Sequence, residues 1–186
     1  WSIRRWIMEY LGLIVTIALA ITGYLVTYLN NLRLAKRADK LKFITTQIDE
    51  FYGPLYAITQ TGQILFMALR AKGIKSGRMG ATEDAPTSRE EISEWRIWLE
   101  NVFQPLNEQL DQIIVTKAHL VLEDEMPQCL KRISAHSAGY KAVIKKWELG
   151  DFSESTSVIN YPAEIEEYAE KSYLMLKAKQ KKLIGR

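Results

Sequence analysis

Two histidines, one cysteine and a short acidic run are the residues whose chemistry could make this chain an enzyme or a metalloprotein. His119 stands four residues before Glu123 and six before Glu125, so the three could offer an open metal site. Metal centres want three or four converging ligands, and His136 is followed at the fourth position by Tyr140, which adds none. The patterns H-E-x-x-H, G-x-S-x-G and C-x-x-C are absent, and so are the repeated E-x-x-H pairs of di-iron bundles. Cys129 follows Pro127 at the start of a predicted helix, a place that can lower a thiol pKa, but that effect is generic and a nucleophile also needs a base and an oxyanion hole. The reading is two ordinary histidines, a solvated Glu123-Asp124-Glu125 loop and a structural cysteine. No catalytic residue, metal ligand or cofactor site is assigned, and the chain is read as a non-enzyme.

The remaining sequence is organised around a membrane. Tyr10 to Leu29 are 20 residues without a charge. At about 1.5 Å per residue, a helix of that length spans roughly 30 Å, the hydrocarbon thickness of a bilayer. Trp1, Trp6 and Tyr10 stand at one end and Tyr24 and Tyr28 at the other, as interfacial belts require. Arg4 and Arg5 ahead of Ala18-Leu19-Ala20 would also suit a signal peptide, but the apolar run continues nine residues past that point. An uncleaved anchor is the reading. The sequence opens at Trp1 rather than methionine, which predicts residues upstream. Gly12, Thr16, Ala20, Gly23 and Thr27 form a small-residue face suited to close packing between transmembrane helices.

Charge sets the orientation. Residues 1–42 carry net +5, residues 43–170 net −8, and residues 171–186 six basic groups with no acid. A nucleic-acid-binding domain concentrates positive charge on its folded body, so nucleic acid is excluded as a partner. Arg33, Lys36, Arg37, Lys40 and Lys42 follow the apolar run, against Arg4 and Arg5 before it. The excess places the C-terminal part in the cytoplasm. The same five residues are the candidates for contact with anionic lipid headgroups. One cysteine rules out an internal disulfide and fits a reducing compartment.

Beyond the anchor the periodicity is helical. Leu34, Leu41, Ile44, Ile48 and Phe51 predict a stalk over residues 30–52 that continues the anchor of residues 1–29. Gly53-Pro54 predicts a helix break, with Pro54 opening the next helix and a cytoplasmic domain spanning 53–186. Residues 73–87 read as a glycine-rich connection without a phosphate-binding motif. Ser88 and Glu91 form a capping box ahead of a third helix, and Pro105 predicts a kink or break near Phe103-Gln104. Helices then follow Pro127 and Pro162; only 115–122 is ambiguous. The fold class is all-α: an N-terminal transmembrane helix, a stalk and an antiparallel helical bundle.

The stretch QIDEFYGPLYAITQ, within residues 40–66, resembles a motif of uncharacterised bacterial proteins with a QxxEFYGPLYA-like sequence. The resemblance implies a single membrane helix, a helical cytoplasmic domain and a bacterial inner (plasma) membrane location. It carries no functional residues across. The resulting expectation is a membrane-anchored protein-interaction module, an accessory or scaffolding subunit of a membrane complex. Its partners would be other membrane-protein subunits, or a second copy through the transmembrane helix, together with anionic lipids. The alternative is a membrane-acting effector of a phage-defence or toxin system.

Overall fold

The computed structural model describes residues 2–74 and 88–185. The sequence-predicted connection 73–87 therefore lies outside the described residues except for its first two. The described chain is helical throughout its regular elements, with no strand among the described residues. It divides into two compact units, Trp1–Phe43 and Ile44–Arg186.

The first unit is one stretch of helix, the greater part of α1 (Ser2–Gln47). Every residue from Tyr10 to Leu29 is exposed on it. Thr16, Thr22 and Thr27 donate their hydroxyls to the carbonyls of Gly12, Ala18 and Gly23, each at 2.8 Å. These bonds satisfy every threonine hydroxyl between Tyr10 and Tyr28 without help from water, as hydrocarbon surroundings require. Among the described residues this is the one helix long and apolar enough to cross a membrane.

The second unit begins at Ile44, nine residues before the predicted boundary at Gly53. The reason is packing: Ile44, Gln47 and Ile48 are already buried, and Gln47 Nε2 donates to the Leu120 carbonyl at 2.9 Å. The predicted break at Gly53-Pro54 is also corrected. The backbone stays right-handed helical through both residues, with Gly53 at φ −65° and ψ −56°. The chain accommodates proline by a π-turn over Ile48–Tyr52, after which α2 runs Gly53–Ala71. In a regular α-helix the Pro54 ring would collide with the carbonyl four residues back, and its missing N–H would leave that carbonyl unbonded. The π-turn widens the helix there, and Gly53 N–H bonds instead to Ile48 O, five residues back.

The same device recurs. After α3 (Arg89–Trp98) comes a π-turn at Leu99–Phe103, then α4 (Gln104–Thr116) with Pro105 in its first turn. Gln104 N–H bonds to Leu99 O, as Gly53 N–H does to Ile48 O. The helix is again unbroken where a break was one of the two expectations. The Ser88–Glu91 capping box forms in both directions, at 3.1 Å and 2.9 Å. The ambiguous run 115–122 ends α4 and contains a single 3-10 turn, Ala118–Leu120. Two longer helices, α5 (Gln128–Glu148) and α6 (Glu164–Ile184), complete the unit.

Helix α6 packs antiparallel to the chain entering and forming α2. Thr45 meets Gln180 at 3.0 Å, and Tyr56 stacks on Tyr173 with ring centroids 5.2 Å apart. One core gathers Phe51, Tyr52 and Leu55 with Leu110, Leu130, Ile133, Ile165 and Leu176. A second gathers Leu69, Trp95, Leu99, Tyr140, Val143 and Trp147. Each fully buried aliphatic side chain contributes about 1.5–3 kcal/mol of burial free energy, so the unit rests on these two clusters rather than on its surface ion pairs.

Candidate functional site

The residues first considered for chemistry are dispersed. His119 and Glu125 are exposed, while the Glu123 carboxylate accepts a hydrogen bond from Tyr168 at 2.9 Å. Among the described residues no group of three His, Cys, Asp or Glu side chains is placed to hold a metal ion. Cys129 does sit in the first turn of α5, but burial pushes its thiol above the ordinary value, outweighing the backbone hydrogen bonds that act the other way. Arg33, Lys36, Arg37, Lys40 and Lys42 are exposed on α1, as are Gly12, Thr16, Ala20, Gly23 and Thr27. A Cβ added at Gly12 or Gly23 would meet nothing within 4 Å.

What the sequence did not announce is a cavity of about 440 Å³ inside the helical unit. It lies where the two hydrophobic cores meet. Phe66 on α2, Trp95 and Phe103 around the second π-turn, and Leu106 and Leu110 on α4 make its apolar walls. Its aromatic lining is ordered: Phe103 stacks on Trp95 at 5.6 Å between centroids and meets Phe66 edge-on at 6.2 Å. The second π-turn brings Leu99 and Phe103 to the same wall.

The loop between α5 and α6 adds Thr156, Ser157 and Asn160 to the lining. Four bonds tie this loop down. Trp95 Nε1 donates to Ser155 O at 3.2 Å, Trp147 Nε1 to Glu154 O at 2.6 Å, Ser157 Oγ to His136 O at 3.2 Å, and His136 Nδ1 meets Ile159 O at 2.6 Å. Gly139 permits the close approach, since a Cβ there would overlap Ser157 Oγ. A carbonyl can only accept, so Nδ1 carries the proton and Nε2 of the neutral ring is left as an acceptor. Burial holds the His136 pKa below its ordinary value, against the hydrogen bond to Ile159, and so favours that neutral ring.

Three further groups complete the polar lining. Asn107 is 5% exposed and lines the cavity, and its amide is not among the fully buried, unpartnered polar groups of the described residues. The Glu166 carboxyl is held above the usual carboxylate range by burial, opposed by a hydrogen bond from Gln63. Tyr161 packs edge-on against His136 at 5.6 Å, and burial together with the Glu166 charge raises its hydroxyl pKa. Tyr140, edge-on to His136 at 4.9 Å, is pushed up to about 12, so its hydroxyl too stays protonated. Among the described residues no lysine or arginine lines the cavity.

Two of these polar residues sit on faces that read as core. Asn107 lies between Leu106 and Leu110, and His136 lies three residues after Ile133 and four before Tyr140. A polar side chain at a core position of an amphipathic helix is the signal that could have found them; His136 was instead read as ordinary. Compared with protein-family models, with curated proteins and with solved structures, the chain matches none.

Proposed function

We propose that this protein is a membrane-anchored interaction module: a non-catalytic accessory or scaffolding subunit of a bacterial inner-membrane complex, with its helical unit in the cytoplasm. The observation that carries the reading is the full exposure of Tyr10–Leu29 on a helix whose threonine hydroxyls are satisfied by its own backbone. Such a surface is costly in water and favourable in lipid. The five basic residues from Arg33 to Lys42 support a cytoplasmic side and a hold on anionic headgroups, each worth about 1 kcal/mol near the surface. The face of Gly12, Thr16, Ala20, Gly23 and Thr27 is where another subunit's helix, or a second copy, would pack closely.

The test is purification of the full chain from membranes in mild detergent, with mass spectrometry of what accompanies it. A membrane protein recovered in constant ratio, and lost when Ala20 and Gly23 are both replaced by leucine, supports an accessory subunit. Depolarisation of cells on overexpression, with no partner recovered, would replace the reading by that of a membrane-acting effector.

A further inference from the structure

We propose that the cavity between the two cores is a binding site for an uncharged amphipathic small molecule, one with a flat apolar body and an N–H or O–H donor at one end. The proposal goes beyond the membrane-anchored reading and does not depend on it. Its size, about 440 Å³, lies in the range of small-molecule sites, roughly 300–1,000 Å³. Phe66, Trp95 and Phe103 offer ring faces and edges to a flat apolar body. The same lining includes His136, whose Nε2 is an acceptor, the Asn107 amide and the Glu166 carboxyl.

Asn107 is the decisive residue. Asn107 is nearly buried at a position where a helix core would take leucine, and its amide borders the cavity. Its presence on a cavity wall is explained if a ligand hydrogen-bonds to it. The ligand's charge follows from what is missing on the walls. Among the described residues no lysine or arginine lines the cavity to receive an anion, and Glu166 would repel one, so a phosphate or carboxylate would gain no compensation from them. A donor, by contrast, has acceptors waiting at His136 Nε2 and Glu166. Gly62 on α2 leaves room on the cavity's rim, where an added Cβ would touch only Leu106 Cδ1 at 4.0 Å.

The probe is 5-fluoroindole, which is flat, neutral and carries one N–H, read by fluorine NMR against the full chain in nanodiscs with empty nanodiscs as the blank. Its anionic relative 5-fluoroindole-2-carboxylate serves as the charge control. The expected result is saturable binding of the neutral probe and binding of the carboxylate at least about tenfold weaker. Asn107→Leu should weaken the neutral probe by about tenfold, because it removes the amide from the cavity lining. Gly62→Leu should block binding by filling the space, on a helix that favours leucine over glycine. No saturable binding above empty nanodiscs would leave a water-filled cavity and overturn the proposal. So would equal binding by wild type and both variants, or tighter binding of the carboxylate. Should Asn107→Leu fail to fold, the Gly62→Leu result decides alone by the same criterion.

Discussion

Tyr52 Oη lies 3.0 Å from Tyr168 Oη, joining residues 116 positions apart. The direction of this bond follows from its neighbours. Leu122 N–H donates to Tyr52 Oη at 2.9 Å, and Tyr168 donates to the Glu123 carboxylate at 2.9 Å. Tyr52 must therefore donate to Tyr168, and a single chain of donors runs from the backbone at Leu122 to Glu123. It fastens the first π-turn to the loop before α5 and to α6. Both phenols have raised pKa values, Tyr52 chiefly through burial and Tyr168 through burial and the Tyr52 hydrogen bond, so the chain stays protonated across the physiological range.

Tyr52→Phe should destabilise the helical unit by about 1–3 kcal/mol, because the part-buried Leu122 N–H loses its acceptor. Tyr168→Phe should cost less, since the Tyr52 hydroxyl remains and Glu123 is exposed to water. Urea unfolding of the two single variants and the double variant measures this. A double variant costing less than the sum of the singles is the expected coupling.

Gly53→Ala should cost more than Pro54→Ala. A Cβ on Gly53 would stand 2.5 Å from Ile48 O, the carbonyl that Gly53 N–H bonds, so backbone must shift. Gln104 shows the form of the shift: at the corresponding place after the second π-turn, ψ is −44° instead of −56°. That adjustment moves Leu55, which is fully buried. Removing the Pro54 ring relieves a constraint and restores an N–H, so Pro54→Ala should change stability by less than about 1 kcal/mol. Thermal melts of the two variants decide the order, and membrane insertion should be unaffected by either.

Acidification should loosen the α5–α6 loop. His136 has a folded pKa below the unfolded value of 6.5, so the unfolded chain takes up the proton first. The stability it contributes is complete above pH 6.5 and is lost as pH falls through the lower folded pKa. As pH falls below 6.5 the melting temperature should fall for wild type and stay flatter for His136→Phe. The exposed carboxylates with lowered pKa values, Glu50, Asp151 and Glu167, act with the same sign but in a more acidic window.

Cys129 should react slowly. It is buried and its thiol pKa is raised, so the thiolate that attacks a maleimide is scarce and shielded. Labelling of the native full chain at pH 7.5 should be at least about tenfold slower than after unfolding in guanidinium. Comparable rates would contradict the packing of the first turn of α5.

The helical class, the apolar span and most inner faces were legible because each is a periodic signal. Leu55, Leu69, Leu130 and Ile133 repeat at helical spacing and are all buried. The capping box was legible because Ser88 and Glu91 carry the whole motif in four residues. Gly53-Pro54 was misread because proline's local preference is for a helix end, whereas the packing of Ile48, Phe51, Tyr52 and Leu55 holds the helix together through a π-turn. That turn has no sequence signature beyond the proline itself. The cavity was illegible for a different reason. It is an absence of packing between α2, α4, α5 and a loop, and no periodicity records an absence. Asn107 and His136 were visible only as polar interruptions of apolar stripes.

Protease treatment of sealed vesicles tests the central claim, a single membrane crossing with the helical unit on the cytoplasmic side. In inverted vesicles the account predicts digestion of the helical unit, leaving a short carbonate-resistant fragment that contains Tyr10–Leu29. In right-side-out vesicles residues 30–186 should stay intact. Release of the whole chain by carbonate, or protection with the two orientations reversed, would contradict it.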